Sequence, residues 1–219
     1  MYKSSIYITS ILLFLIATSC IVSKDKNISY LVNGPSVTIQ PKLNIFYPKK
    51  NKKDSLASSP VLIFVHGGNW NSGKKNHYKF LGKNFSKKGV ITVIPDYTLS
   101  PSADYEQMTR EIASSIQWVK RNISSYGGNP NKIFLMGHSA GGHLITLATL
   151  DPSYGISKGT VSGIILNDAA GLDMYSFLKR NKPSTKYNYL TTWTNDPAAW
   201  KKASPLYYVT EDMPPFLFI

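Results

Sequence analysis

Residues 137–141 read Gly137-His138-Ser139-Ala140-Gly141, a G-x-S-x-G pattern, and they are the part of this chain best equipped to do chemistry. An apolar run, Ile133-Phe134-Leu135-Met136, leads into them, and a helical apolar pattern at Leu144, Leu147 and Ala148 follows. Strand, sharp turn, then helix is the context in which such a serine stands exposed as a nucleophile. The turn is so tight that only small side chains fit at its flanks, which accounts for Gly137 and Gly141. It should lift Ser139 Oγ to the C-terminal end of the strand, beside the N-terminus of the next helix. Backbone N–H groups and the helix dipole favour negative charge there. The chemistry that fits is acyl transfer, in which a hydroxyl attacks a carbonyl and amides hold the resulting oxyanion. The plain alternative is a glycine-rich loop that happens to hold a serine.

A second segment agrees with the first. Pro60-Val61-Leu62-Ile63-Phe64-Val65 is short, apolar and rich in β-branched residues, as a buried strand is. It ends in His66-Gly67-Gly68-Asn69-Trp70. A tetrahedral intermediate needs preorganised donors for its charged oxygen, and losing one costs about 10²–10³ in rate. Glycines let the backbone approach closely enough to aim its amides. The alternative here is an ordinary strand-to-loop turn on Gly67-Gly68. Two independent motifs in the correct order weigh against it.

On these residues the chain resembles the α/β-hydrolase superfamily, in the branch of hormone-sensitive-lipase-like carboxylesterases and kynurenine-formamidase-like enzymes. His66 to Trp70 matches the HGGxW signature of that branch. Asp96-Tyr97-Thr98-Leu99-Ser100-Pro101 resembles its DYRLSP segment, and Tyr126 to Ile133 its FGGDPxRI approach to the serine. Ala203-Ser204-Pro205-Leu206 with Pro214-Pro215-Phe216-Leu217 resembles ASPL…PPFLI. The likeness runs from about Ser36 to the last residue. It implies Ser139 as nucleophile and the backbone amides of Gly68, Asn69 and Ala140 as oxyanion hole. His66, Gly67, Trp70, Gly137 and Gly141 support the two motifs. Asn69 replaces a third glycine, a change that a main-chain donor tolerates. The implied substrate is a small-molecule carboxylic ester, or an amide.

In this fold the triad runs Ser, then Asp or Glu, then His. The resemblance puts the acid just after the strand begun by Pro215 to Ile219, and the histidine later still. Both are therefore expected beyond Ile219, with the last strand and helix. The chain reads as a fragment, or else as a degenerate, non-catalytic relative; stopping partway through an interior strand favours the fragment. The four histidines offer no substitute base. His66 opens the oxyanion loop, His138 points away, His143 sits one turn along a receding helix, and His77 lies early in the first helix. Asp168 and Asp173 are alternative acids, although Asp173 better suits the N-cap of a helix starting at Met174. Without a base, Ser139 is a weak nucleophile near neutrality.

The elements that must position these residues alternate. Val61–Val65, Val90–Ile94, Ile133–Met136 and Val161–Leu166 read as strands. A helix with Phe80, Leu81 and Phe85 on its apolar face ends at Gly89, and a longer one covers Tyr105–Ile123 with Met108, Ile112, Ile116 and Val119 inward. Another covers Leu144–Leu150. This is an α/β pattern, a mostly parallel sheet with helices on both faces, whose ligands bind beyond the strands' C-terminal ends. Residues 36–219 form the single domain, opening with an edge hairpin over Ser36–Tyr47. Aromatic residues crowd 172–200, a candidate cap that closes out water, or else ordinary packing.

Ahead of the domain, residues 1–19 read as a signal peptide, with a positive start at Lys3 and an apolar run from Ile6 to Ala17. Cys20, the only cysteine, resembles the lipidated residue of a bacterial lipoprotein, although Ala17 departs from the usual leucine. Ordinary cleavage nearby and an uncleaved anchor are the alternatives. Residues 20–35 read as a polar tether. The expectation is an exported periplasmic or cell-envelope protein, touching membrane only through a lipid anchor. With 25 basic and 12 acidic residues the formal charge is +13. The lysines are scattered over Lys49–Lys53, Lys74-Lys75, Lys87-Lys88, Lys179–Lys182 and Lys201-Lys202 without a nucleic-acid motif, so they read as a solvated surface. The sequence holds no metal-ligand cluster and no G-x-G-x-x-G, so no metal and no cofactor are expected. Oligomeric state is not legible.

Overall fold

The computed structural model describes residues 22–31, 40–49 and 59–219. Cys20 and the apolar run before it lie outside the described residues. One seven-stranded sheet organises the rest: β1 (Val22–Ser29), β2 (Lys42–Pro48), β3 (Ser59–Val65), β4 (Ile91–Pro95), β5 (Gly128–His138), β6 (Gly163–Asn167) and β7 (Phe216–Phe218). Their order is β1-β2-β4-β3-β5-β6-β7. β2 runs antiparallel to β1 and β4, and the remaining pairs are parallel. The helices are α1 (Lys79–Lys87), α2 (Tyr105–Asn122), α3 (Ala140–Leu150) and three short ones, α4 (Met174–Arg180), α5 (Tyr189–Trp193) and α6 (Pro197–Lys202).

The parallel strands are where the apolar runs predict them, because strands covered on both faces need continuous hydrophobicity. Val61, Ile63, Val65, Ile91, Val93, Ile133, Leu135, Ile164 and Leu166 are buried in one core with Met108, Ile112, Ile116 and Val119 of α2. Asp104 caps α2 by accepting from the Gln107 amide at 2.8 Å. Val65 pairs with Gly137, and His138 with Asn167. β3, β5 and β6 therefore end side by side, which brings His66, Ser139 and Asp168 to one rim.

Four expectations change. The polar tether is half wrong: Val22–Ser29 is an edge strand whose register against β2 shifts between Asp25 and Ile28. Its residues are largely exposed, so polar side chains suit it and no alternation betrays it. Consequently the hairpin partner of β2 lies upstream, at β1, rather than within Ser36–Tyr47; residues 36–39 lie outside the described residues. On α1 the buried positions are Gly82 and Ser86, while Phe80 is 76% exposed. Gly82 faces the Phe46 ring so closely that an added Cβ would lie 2.4 Å from it; the helix docks through its smallest residue. α3 begins at Ala140, one turn before the first leucine of its pattern, since its opening turn is built from glycines.

Candidate active site

Ser139 joins β5 to α3 with φ 49° and ψ −120°, a strained conformation for an L-residue. Glycines on either side make that turn possible. A Cβ on Gly137 would lie 2.5 Å from Gly142 N, one on Gly141 2.2 Å from Val65 O, and one on Gly142 2.5 Å from Ala169 Cβ. Ser139 is half-buried rather than sealed in the core. Its own amide donates to Asn167 O at 3.1 Å, which ties the turn to the end of β6.

The loop after β3 closes on this turn. A Cβ on Gly67 would lie 2.9 Å from Ser139 Cβ, so the two backbones touch only because Gly67 has no side chain. Gly68, Asn69 and Trp70 then take φ values of 129°, 50° and 59°. Gly68 O accepts from the amides of Asn71 (3.1 Å) and Ser72 (2.9 Å) and from Ser72 Oγ (2.8 Å). Among the described residues the amides of Gly68, Asn69 and Ala140 donate to no backbone acceptor outside the regular helices and strands. The structure thus brings the Gly67-Gly68 turn against Ser139, the serine singled out from the sequence.

No histidine side chain hydrogen-bonds Ser139; His143 reaches it only through its main-chain amide, which donates to Ser139 O at 3.4 Å. His66 is buried; its Nδ1 bonds Gly67 O at 2.8 Å, and its Nε2 lies 3.7 Å from Asp96 Oδ1. His143 is fully buried, with Nδ1 accepting from Trp70 Nε1 at 3.2 Å and Nε2 donating to Ala203 O at 2.7 Å. Burial pushes its pKa down to about 4, against the opposing bond to Ala203, so the ring is neutral. His138 Nδ1 is buried without a partner among the described residues. His77 is exposed in the short turn before α1. Asp168 is exposed at the end of β6, and Asp173 caps α4 by accepting from the Ser176 amide at 3.0 Å.

Several supports were not singled out from the sequence. Lys75, read among the solvated lysines, is buried and clamped on Asp96 through both its amide (2.6 Å) and its ammonium (2.5 Å). Burial works to raise the Asp96 pKa, but His66 and Lys75 outweigh it and hold it below the usual carboxylate value. Glu111, also buried, accepts from the Thr98 amide (2.6 Å), Thr98 Oγ1 (2.8 Å) and Gln107 Nε2 (3.0 Å). A carboxylate in the inward phase of α2 was the available signal. A cavity of about 780 Å³ opens beside Asn71, Lys75, Asp96 and Ser100, and Ser139 does not line it.

Tyr187, Tyr189 and Trp193 pack on the loop at Trp70. Trp193 is fully buried, its ring 4.7 Å from that of Trp70 and 5.5 Å from that of His143. Trp200 Nε1 donates to Trp193 O at 3.1 Å. These two tryptophans are therefore core. Tyr189 is half-buried, and its hydroxyl donates to Asn69 Oδ1 at 2.7 Å.

The family model BD-FAE matches residues 43–219. Esterase LipC of Mycobacterium tuberculosis is 31% identical over 175 residues, 74% of this chain and 43% of that protein. A probable isoprenylcysteine alpha-carbonyl methylesterase of Oryza sativa subsp. japonica is 35% identical over 118 residues, 54% of this chain and 28% of that protein. The chain thus spans less than half the length of these relatives. Among solved structures, esterase B from Lactobacillus Rhamnosis superposes with a TM-score of 0.73 at 22% identity, over 90% of this chain and 64% of that one. Thermogutta terrifontis esterase 2 phosphonylated by sarin gives 0.70 at 21% identity, over 88% and 71%. At such identities the likeness is one of fold.

Proposed function

This chain belongs to the BD-FAE family, in the carboxylesterase branch of the α/β-hydrolases, and we propose that it carries the nucleophile and oxyanion hole of a serine carboxylic-ester hydrolase. On this reading Ser139 Oγ attacks the ester carbonyl carbon. The carbonyl oxygen becomes an oxyanion on the amides of Gly68, Asn69 and Ala140. The C–O bond to the alcohol breaks, the alcohol leaves with a proton, and water hydrolyses the acyl-enzyme. The esterase relatives support the substrate class. The observation that carries the reading is a close backbone contact: Ser139 at positive φ, against a Gly67 that has no room for a methyl.

Among the described residues no imidazole hydrogen-bonds Ser139, so none of them activates the nucleophile. The 219-residue chain is therefore expected to react slowly, with what remains coming from the oxyanion hole and binding. An activated fluorophosphonate probe tests this, since an esterase of the same fold is phosphonylated by sarin. Slow labelling that disappears in Ser139→Ala supports the reading. A folded chain that is not labelled at all, or labelling that survives Ser139→Ala, overturns it and leaves a non-catalytic binding role. Comparing matched p-nitrophenyl esters and p-nitroanilides separates ester from amide hydrolysis.

A further inference from the structure

We propose that Tyr189 is a positioning residue for the oxyanion turn, acting through the side chain of Asn69; this rests on the serine-hydrolase reading. Gly68, Asn69 and Trp70 hold positive φ in succession, and two of them are L-residues for which that region is costly. Such a stretch persists only where its surroundings over-determine it. Gly68 is held through its carbonyl, which accepts three hydrogen bonds. Trp70 is held through its indole, bonded to His143 and packed on Trp193. Asn69 lies between them, and its side-chain anchor is the Tyr189 hydroxyl at 2.7 Å. A glycine at this position would offer no such handle.

The residues around Tyr189 are shaped for the contact. Tyr187 and Asn188 precede it with φ values of 57° and 59°, a left-handed pair that turns the chain into α5. Tyr187 O accepts from Asn71 Nδ2 at 3.0 Å. Residues 187–189 therefore grip the loop at two points, one on either side of Trp70. Burial keeps the Tyr189 phenol above its ordinary pKa, so it remains a donor across the working range. The consequence is specific. Residues 187–189 thereby fix the direction of the Asn69 main-chain amide, and so the rate of the step that builds negative charge.

Tyr189→Phe removes the hydroxyl and keeps the ring that faces Trp70 and Trp193. At saturating fluorophosphonate the labelling rate of Ser139 should fall about 5-fold, well short of the 10²–10³ for losing an oxyanion donor outright. The half-saturating probe concentration should not move. In an Asn69→Gly background the same substitution should have no further effect. Amide hydrogen exchange at Asn71 and Ser72, whose N–H groups bond Gly68 O across the turn, should quicken in Tyr189→Phe. A change in half-saturation alone, an equal loss in the Asn69→Gly background, or unaltered exchange would overturn the proposal. If Ser139 is never labelled, the hydrolase reading fails by itself, and the exchange measurement still decides whether Tyr189 holds the turn.

Discussion

The turn at Ser139 and the turn at Gly68–Trp70 both carry positive φ, yet they are enforced by opposite means. Around Ser139 backbone presses on backbone: Gly137 against Gly142, and Gly141 against the carbonyls of Val65 and His66. Around Asn69, beyond the local bonds to Gly68 O, the restraint comes from side chains distant in sequence, His143 bonding the Trp70 indole and Tyr189 bonding Asn69. The first turn can change only by moving strands. The second can loosen one hydrogen bond at a time, which makes it the adjustable half of the site.

Gly141→Ala should therefore have the largest effect. Its methyl would meet Val65 O at 2.2 Å and His66 O at 2.6 Å, main-chain atoms at and just past the end of β3. A cost of about 3 kcal/mol or more is expected, because a buried strand end cannot yield cheaply. Urea unfolding followed by circular dichroism measures it. A wild-type midpoint would break the comparison at its rigid end.

Acid should act next, and through His143. Its pKa is about 4 in the folded chain, against about 6.5 unfolded. The unfolded state thus binds more protons between those values, so stability is full above about pH 6.5 and is lost as pH falls toward 4. At 1.36 kcal/mol per unit the loss approaches about 3 kcal/mol. His143→Gln can still accept from Trp70 and donate to Ala203 O without titrating there. The wild type should lose more stability than this variant between pH 7 and pH 4.5; parallel losses would remove His143 from the account.

Trp70→Phe comes third. It deletes the indole N–H and leaves His143 Nδ1 buried without its donor, a cost of about 1–3 kcal/mol. Labelling of Ser139 should slow as well, because the strained φ at residue 70 loses one of its restraints. A lowered urea midpoint with a slower reaction would sharpen the contrast, whereas a wild-type labelling rate at the lowered midpoint would break it.

The same contrast decides what could be read in the sequence. Backbone crowding leaves glycines at fixed spacing, so the serine turn and the loop after β3 were visible as motifs. Parallel strands leave unbroken apolar runs, so β3 to β6 were visible too. β1 was not, because an exposed edge strand carries no burial pattern and exists through its pairing with β2. Lys75 was misread because its burial is set by Asp96, 21 residues away. Tyr189 and Asn69 are 120 positions apart, and nothing local in either neighbourhood marks the bond between them. Trp193 drew notice as part of an aromatic cluster, yet composition alone could not separate pocket lining from core.

Asp173 offers the smallest effect and the cleanest separation. As the N-cap of α4 it satisfies the Ser176 amide, and Asp173→Ala should cost about 1 kcal/mol. It sits two residues after Gly171, where an added Cβ would lie 3.0 Å from the Trp70 ring and 3.3 Å from that of His143. A cap loosened there is therefore close enough to test whether strain reaches the adjustable turn. If Asp173 only ends a helix, the urea midpoint falls slightly and Ser139 is labelled at the wild-type rate. If it served as the acid behind a catalytic base, labelling would drop by orders of magnitude while stability barely changed.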